Sequence, residues 1–245
     1  MELSGLSALV TGGAYRVGKA VTLALARAGV NVLINYHSSA SAAQETATEA
    51  RELGVRALPY QADVSDPEKV AAMVDAGRQA LGAIQVLVNA ASLWRATPFP
   101  ARDLSDWHRV TRILIDGSFY CANALAPEMV RLGKGAIINV VDLSAWEPFR
   151  GYVAHSVGKS ALWALTRQLA VELAPGVRVN AIAPGPVLPT PNQTPSEIAG
   201  VASRTLLGRW GAADDVSEAV LFLLRSDYIT GEVIVVDGGQ RYGHL

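Results

Sequence analysis

Short runs of aliphatic and β-branched residues recur along the chain near 6–11, 30–35, 55–60, 84–88, 135–141, 177–182 and 232–236. Runs that are apolar throughout, rather than at alternate positions, belong to strands covered on both faces, as in a parallel sheet between helical layers. The segments between them carry apolar residues at helical spacing, near 17–28, 40–53, 67–81, 103–131, 152–173 and 214–225. This alternation predicts an α/β fold with a seven-stranded parallel sheet, doubly wound and Rossmann-like. Only the stretch 184–195, PGPVLPTPNQTP, breaks the rhythm. Its five prolines suit neither a helix interior nor a central strand, so an exposed loop is expected, placed after a strand end where a lid or a rigid connector would sit.

Composition narrows the picture without changing it. No compositional break divides the 245 residues, so a single domain, 1–245, is expected. A formal net charge of −1 offers no electrostatic grip on nucleic acid or anionic lipid, which leaves a small molecule or a second subunit as the expected partner. The lone cysteine, Cys121, excludes an internal disulfide, and the amino-terminal stretch lacks the basic start and apolar run of a secretory signal. A cytoplasmic location with no membrane span follows as the expectation. His37, His108, His155 and His244 are too dispersed for a metal site, and none is expected.

Candidate chemistry gathers at three places. After the first strand, Thr11-Gly12-Gly13-Ala14-Tyr15-Arg16-Val17-Gly18 runs into a helical pattern. Glycines there let the backbone approach a pyrophosphate, and the helix amino terminus supplies unpaired N–H groups, although any tight strand-to-helix turn also uses glycine. The second strand ends in Tyr36-His37-Ser38-Ser39 where an acidic residue would receive the adenosine ribose hydroxyls. A cationic and hydroxyl set suits a 2′-phosphate instead, so NADP(H) is the expected cofactor; the serines also suit a helix cap. The third place is 135–159, a buried strand leading through Asp142 to a helix with Tyr152, His155 and Lys159 at spacings of three and four, expected on one face.

Taken together these motifs resemble the short-chain dehydrogenase/reductase superfamily, and within it the pteridine reductase-like members. The turn looks like the superfamily's T-G-x-x-x-G-x-G, with Arg16 in place of the middle glycine, as in the pteridine reductase branch. Asp63-Val64 resembles the adenine-contacting pair, Asn89-Ala90-Ala91-Ser92 the N-N-A-G motif, and Asn180 to Gly185 the N-x-x-x-P-G segment beside the nicotinamide, continuing to Val187. ITGEVIVVDGG matches the last strand, so the similarity spans essentially the whole chain. The resemblance implies a homotetramer, NADP(H), and substrate contacts from Ser92, Trp94, Asp142, Tyr152 and Leu188. Trp94 would stack on a pterin and Asp142 would join its proton relay.

The superfamily's serine, tyrosine and lysine correspond to Asp142, His155 and Lys159, and its relay asparagine to Leu114. Only the lysine keeps its usual identity. His155 or Tyr152 is the expected proton donor, with Asp142 acting through water, or loss of catalysis, as the other readings; the Lys159 charge opposes an imidazolium. The expected reaction is reduction of a dihydropterin or dihydrofolate-like substrate by NADPH. A 3-oxoacyl thioester or carbonyl reductase, and a weakly active or inactive NADP(H)-binding regulator, are the alternatives.

Overall fold

Residues 1–190 and 193–243 are described in the computed structural model. Parallel strands β1 (Ser7–Thr11), β2 (Asn31–Tyr36), β3 (Ala57–Gln61), β4 (Val86–Asn89), β5 (Gly135–Val140), β6 (Val177–Pro184) and β7 (Val233–Val236) form one sheet. Their spatial order is β3-β2-β1-β4-β5-β6-β7. The order reverses between β1 and β4, and in such sheets the crevice at the strands' carboxyl ends beside that reversal takes the ligand.

Strands β1, β4 and β5 are wholly buried. Two apolar layers account for this. One packs β-strand residues such as Val10, Val32 and Val88 against helices α1 (Arg16–Arg27) and α8 (Ala213–Arg225). The other packs Leu9, Leu87 and Ile137 against α3 (Pro67–Leu81) and α5 (Gly117–Leu132). Helix α2 (Ala40–Glu52) completes the first layer. Apart from the helix expected over 103–131, the sequence-based elements agree with the observed ones to within two residues.

Two elements differ from expectation. The segment expected as one helix over 103–131 is α4 (Ser105–Thr111), a π turn (Arg112–Asp116), then α5. Leu114, fully buried, sits inside that π turn. Helix α7 (Pro195–Ala202) follows the proline-rich stretch, and residues 191–192 of that stretch lie outside the described residues. Helix α7 begins with a reciprocal cap in which Thr194 accepts from the Glu197 N–H and donates to its carboxylate. Threonine, proline and glutamate in T-P-S-E were its unread signal.

Helix α6 (Val153–Glu172) carries the third candidate cluster. Thr97, in the loop after β4, accepts the Ala154 N–H at 3.0 Å and so satisfies one of the donors that a helix start leaves free. The same loop pairs with Tyr152 in a single bridge, which pins the Trp94 region to the start of α6.

Candidate functional site

A cavity of about 610 Å³ opens along the carboxyl ends of the sheet, between the β1 turn and the segment after β6. The turn is closely packed. Gly12 has a φ of +62°, and a Cβ there would stand 3.0 Å from the Ala91 Cα; a Cβ on Gly18 would stand 2.0 Å from the Gly12 carbonyl oxygen. Asn35 Oδ1 accepts the Gly12 N–H at 3.3 Å, and Thr11 Oγ1 accepts the N–H groups of Ala90 and Ala91 at 3.0 and 3.1 Å. Helix α1 then starts without a side-chain cap and without an acidic residue in its first turn. Its N-terminal N–H groups and the positive end of its dipole remain available to an anion.

At the end of β2, Tyr36, His37, Ser38 and Ser39 all line the cavity. Ser39 occupies the cap position of α2 yet makes no capping bond, so its hydroxyl is not committed to the helix. Asp63 lines the next wall, its carboxylate accepting from the Ser65 hydroxyl and N–H. Burial works against its charge, but the Ser65 bonds, His37 and Arg109 together hold it below the ordinary carboxylate value.

The chemistry end is built on β5 and α6. Asp142 Oδ2 and His155 Nε2 are 2.6 Å apart, and Asp142 Oδ1 accepts the Ser144 N–H at 2.9 Å and the Ser144 hydroxyl. Burial opposes the Asp142 charge, but the His155 bond, the Lys159 and His155 charges and the Ser144 hydroxyl outweigh it and hold the carboxyl at about 2. The carboxylate is therefore an acceptor, and the His155 ring donates from Nε2. Its other nitrogen, Nδ1, is buried without a partner. Lys159 donates from Nζ to the Val140 carbonyl at 2.7 Å; burial lowers its pKa, with Asp142 partly offsetting this.

Trp94 is half exposed at the cavity rim and meets His155 in an edge-to-face contact, the ring centroids 4.6 Å apart. Tyr152 stacks on Trp94 at 4.3 Å. It sits at the cap position before α6 rather than within the helix, and it is not among the cavity-lining residues. Leu114 packs against Val110 and Ala154, and its Cδ1 stands 2.6 Å from where a Gly158 Cβ would be, so the relay position is a sealed apolar contact.

Residues 12–241 match the family described as enoyl-(acyl carrier protein) reductase. The chain belongs to the short-chain dehydrogenase/reductase superfamily. Among its relatives, the FolM alternative dihydrofolate reductase 1 of Brucella suis, solved in complex with NADP, is 33% identical with a TM-score of 0.92, over 99% of this chain and 97% of that one. The 3-oxoacyl-[acyl-carrier-protein] reductase of Synechocystis is 33% identical over 97% of this chain and 98% of its own length. The 3β-hydroxysteroid dehydrogenase 1 of Eggerthella lenta is 33% identical over 98% and 95%.

As a short-chain dehydrogenase/reductase, the chain brings most of its sequence-predicted residues to one cavity. Gly12, Tyr15, Arg16, Val17 and Gly18 line it from the turn, Val64, Ala90 and Ser92 from the middle of the sheet, and Pro184, Gly185, Val187 and Leu188 from the segment after β6. Asp142, His155 and Lys159 close the far end. Thr11 and Asn89 stand behind the wall. Thr11 ties the β1 and β4 ends together, and Asn89 donates to Asn139, which donates to Thr166. Sequence reasoning missed Arg109 and Ile113, both lining the cavity from the helix that carries D-W-x-R-V. Their spacing of four was the available signal. Among the described residues, no cluster of metal-ligand type occurs and no helix is long and apolar enough to cross a membrane.

The residues present fit NADP(H): a close-packed glycine turn, an uncapped helix start, free hydroxyls and a histidine beyond β2, and a lysine beside the chemistry end. Gly12, Val17 and Gly18 would hold the pyrophosphate, His37, Ser38 and Ser39 the 2′-phosphate, and Lys159 the nicotinamide ribose.

Proposed function

We propose that this protein is an NADPH-dependent reductase of a flat conjugated heterocycle of the dihydropterin or dihydrofolate class. NADPH, when bound, supplies the hydride. The observation that carries the substrate class is the juxtaposition of a half-exposed indole, Trp94, with the Asp142–His155 pair on one cavity wall. An aromatic face suits a planar ring, and a carboxylate–imidazole pair suits a substrate that must gain a proton at nitrogen. The dihydrofolate reductase relative supports the same reading.

His155 moves the proton. The Nε2–H of His155 is donated to Asp142 Oδ2, so a proton bound for substrate crosses that carboxylate, which takes the ring's proton in its place. Asp142 fixes the ring, Ser144 fixes Asp142, and Trp94 limits water at the ring edge. Tyr152 supports Trp94 by stacking, which makes His155 the better donor of the two.

A second reading, reduction of a 3-oxoacyl thioester, is favoured by the 3-oxoacyl reductase relative. NADPH consumption with dihydrobiopterin or dihydrofolate, and none with an acetoacetyl thioester, is the expected outcome; the reverse pattern selects the thioester. Saturable NADPH binding without turnover of either selects the non-catalytic regulator. In the pterin assay, His155→Phe should lower kcat about 100-fold or more, the scale of general acid catalysis, whereas Tyr152→Phe should retain most of it. Loss of kcat in Tyr152→Phe alone would reassign the donor.

The assembly we propose is a cytoplasmic homotetramer. Phe119, Val130 and Leu132 on α5 and Val157 and Val171 on α6 are exposed apolar side chains on neighbouring helices, the kind of face that a second copy covers. Light scattering at the mass of four chains is the expected result.

A further inference from the structure

Arg16 has the backbone of a glycine. Its φ is +51°, the one positive value outside glycine among the described residues. A side-chain-bearing residue persists in that region when the surrounding structure holds it there, and such positions gather at functional sites. What holds it here is visible: Nη2 donates to the Leu188 carbonyl at 2.7 Å and Nη1 to the Pro189 carbonyl at 3.2 Å, across more than 170 positions of sequence.

The recipient segment is otherwise fixed at its root, where Val187 packs into the core. Pro184, Pro186 and Pro189 have no N–H to donate, so it cannot extend the sheet by a regular ladder. The Gly185 N–H bonds to Val236 and the Gly211 N–H to the Pro186 carbonyl, which anchor its root. Beyond that root the contact to the opposite cavity wall is the guanidinium. Carbonyls do not neutralise a guanidinium, and among the described residues no carboxylate forms a salt bridge with Arg16.

We infer that Arg16 is a positioning residue that clasps the segment after β6 to the dinucleotide turn, and that this clasp sets how long NADP(H) is retained. The two walls it joins are the two that line the cavity on either side: Arg16 itself and Val17 on one, Val187 and Leu188 on the other. Releasing the clasp frees Leu188 and Pro189 to swing from the mouth. The inference concerns cofactor residence and holds whichever substrate the enzyme reduces.

Three variants test it. Arg16→Gly removes the clasp and accepts the positive φ without strain; Arg16→Gln keeps an N–H donor without the charge; Arg16→Lys keeps the charge with a single donating atom. In the apoprotein, hydrogen exchange at the Gly211 N–H reports the segment's root. In the loaded protein, stopped-flow loss of NADPH fluorescence on displacement by excess NADP⁺ reports residence.

Arg16→Gly is expected to exchange faster at Gly211, to release NADPH about tenfold faster, the scale of one lost charge-assisted hydrogen bond, and to melt no lower than the parent. Arg16→Gln and Arg16→Lys should fall between, and the ratio to the parent should persist at high salt. Unchanged exchange together with unchanged release overturns the inference. So does faster release with unchanged exchange that vanishes at high salt, because Arg16 is then a phosphate ligand rather than a clasp. Neither readout uses turnover, so failure of the pterin reading leaves the test intact.

Discussion

Asp142 and His155, thirteen residues apart in sequence, share one hydrogen bond of 2.6 Å between Oδ2 and Nε2. The strand end supplies the carboxylate and the first turns of α6 supply the ring, so the pair is assembled by two rigid elements. The Asp142 carboxylate accepts the hydrogen bond that the ring nitrogen donates and so fixes the orientation of the ring.

Reduction should therefore need both members of the pair. Asp142→Asn removes the carboxylate that accepts the His155 bond, so kcat at neutral pH should drop about tenfold or more. Steady-state kcat in both proteins checks this. An unchanged kcat would mean that the pair does not carry the proton.

Stability should respond to the same carboxylate at acid pH. Its pKa is lowered from 3.8 to about 2, so the stability it contributes is complete above 3.8 and is lost as pH falls toward about 2. The loss amounts to about 2 kcal/mol. Urea unfolding at a series of acid pH values should show this slope in the parent and a flatter one in Asp142→Asn.

Gly18→Ala should abolish NADPH binding. The added methyl would lie 2.0 Å from the Gly12 carbonyl oxygen, so the turn must open to admit it. A fluorescence titration should show affinity reduced by about 100-fold or more, because overpacking against backbone has no flexible side chain to yield.

Thr11→Val should destabilise the protein by about 1–2 kcal/mol, since two partly buried N–H groups, of Ala90 and Ala91, lose their acceptor. The loop carrying Trp94 begins there. Thermal unfolding and Trp94 accessibility to a quencher should change together.

The sheet, its parallel character and the cofactor turn were legible in the sequence because each is written locally: apolar runs, glycine at a helix start, serines after β2. Tyr152 shows where local reading stops. Spacing of three placed it on one helix face with His155, yet the bridge to Thr97 keeps it outside α6, stacked on Trp94. A pairing with a residue in a distant loop leaves no trace in helical periodicity. The contact of Arg16 with Leu188 and Pro189 is equally non-local, and so is the sealing of Leu114 against Gly158. Arg109 and Ile113 were missed for a different reason: their spacing was readable, but which face of the helix meets the cavity depends on the π turn.

That π turn fixes the length of the helix to the residue. Arg109, ahead of it, and Ile113, within it, face the cavity; beyond it, Cys121, Leu125 and Met129 face the core beneath the sheet. Each residue of an α-helix advances about 100° around the axis, so deleting one residue between Arg112 and Asp116 would rotate one face out of place whichever end stayed fixed. Insertions and deletions there are the changes that this chain can least absorb, even though substitutions on the exposed side of the same helix remain open to it.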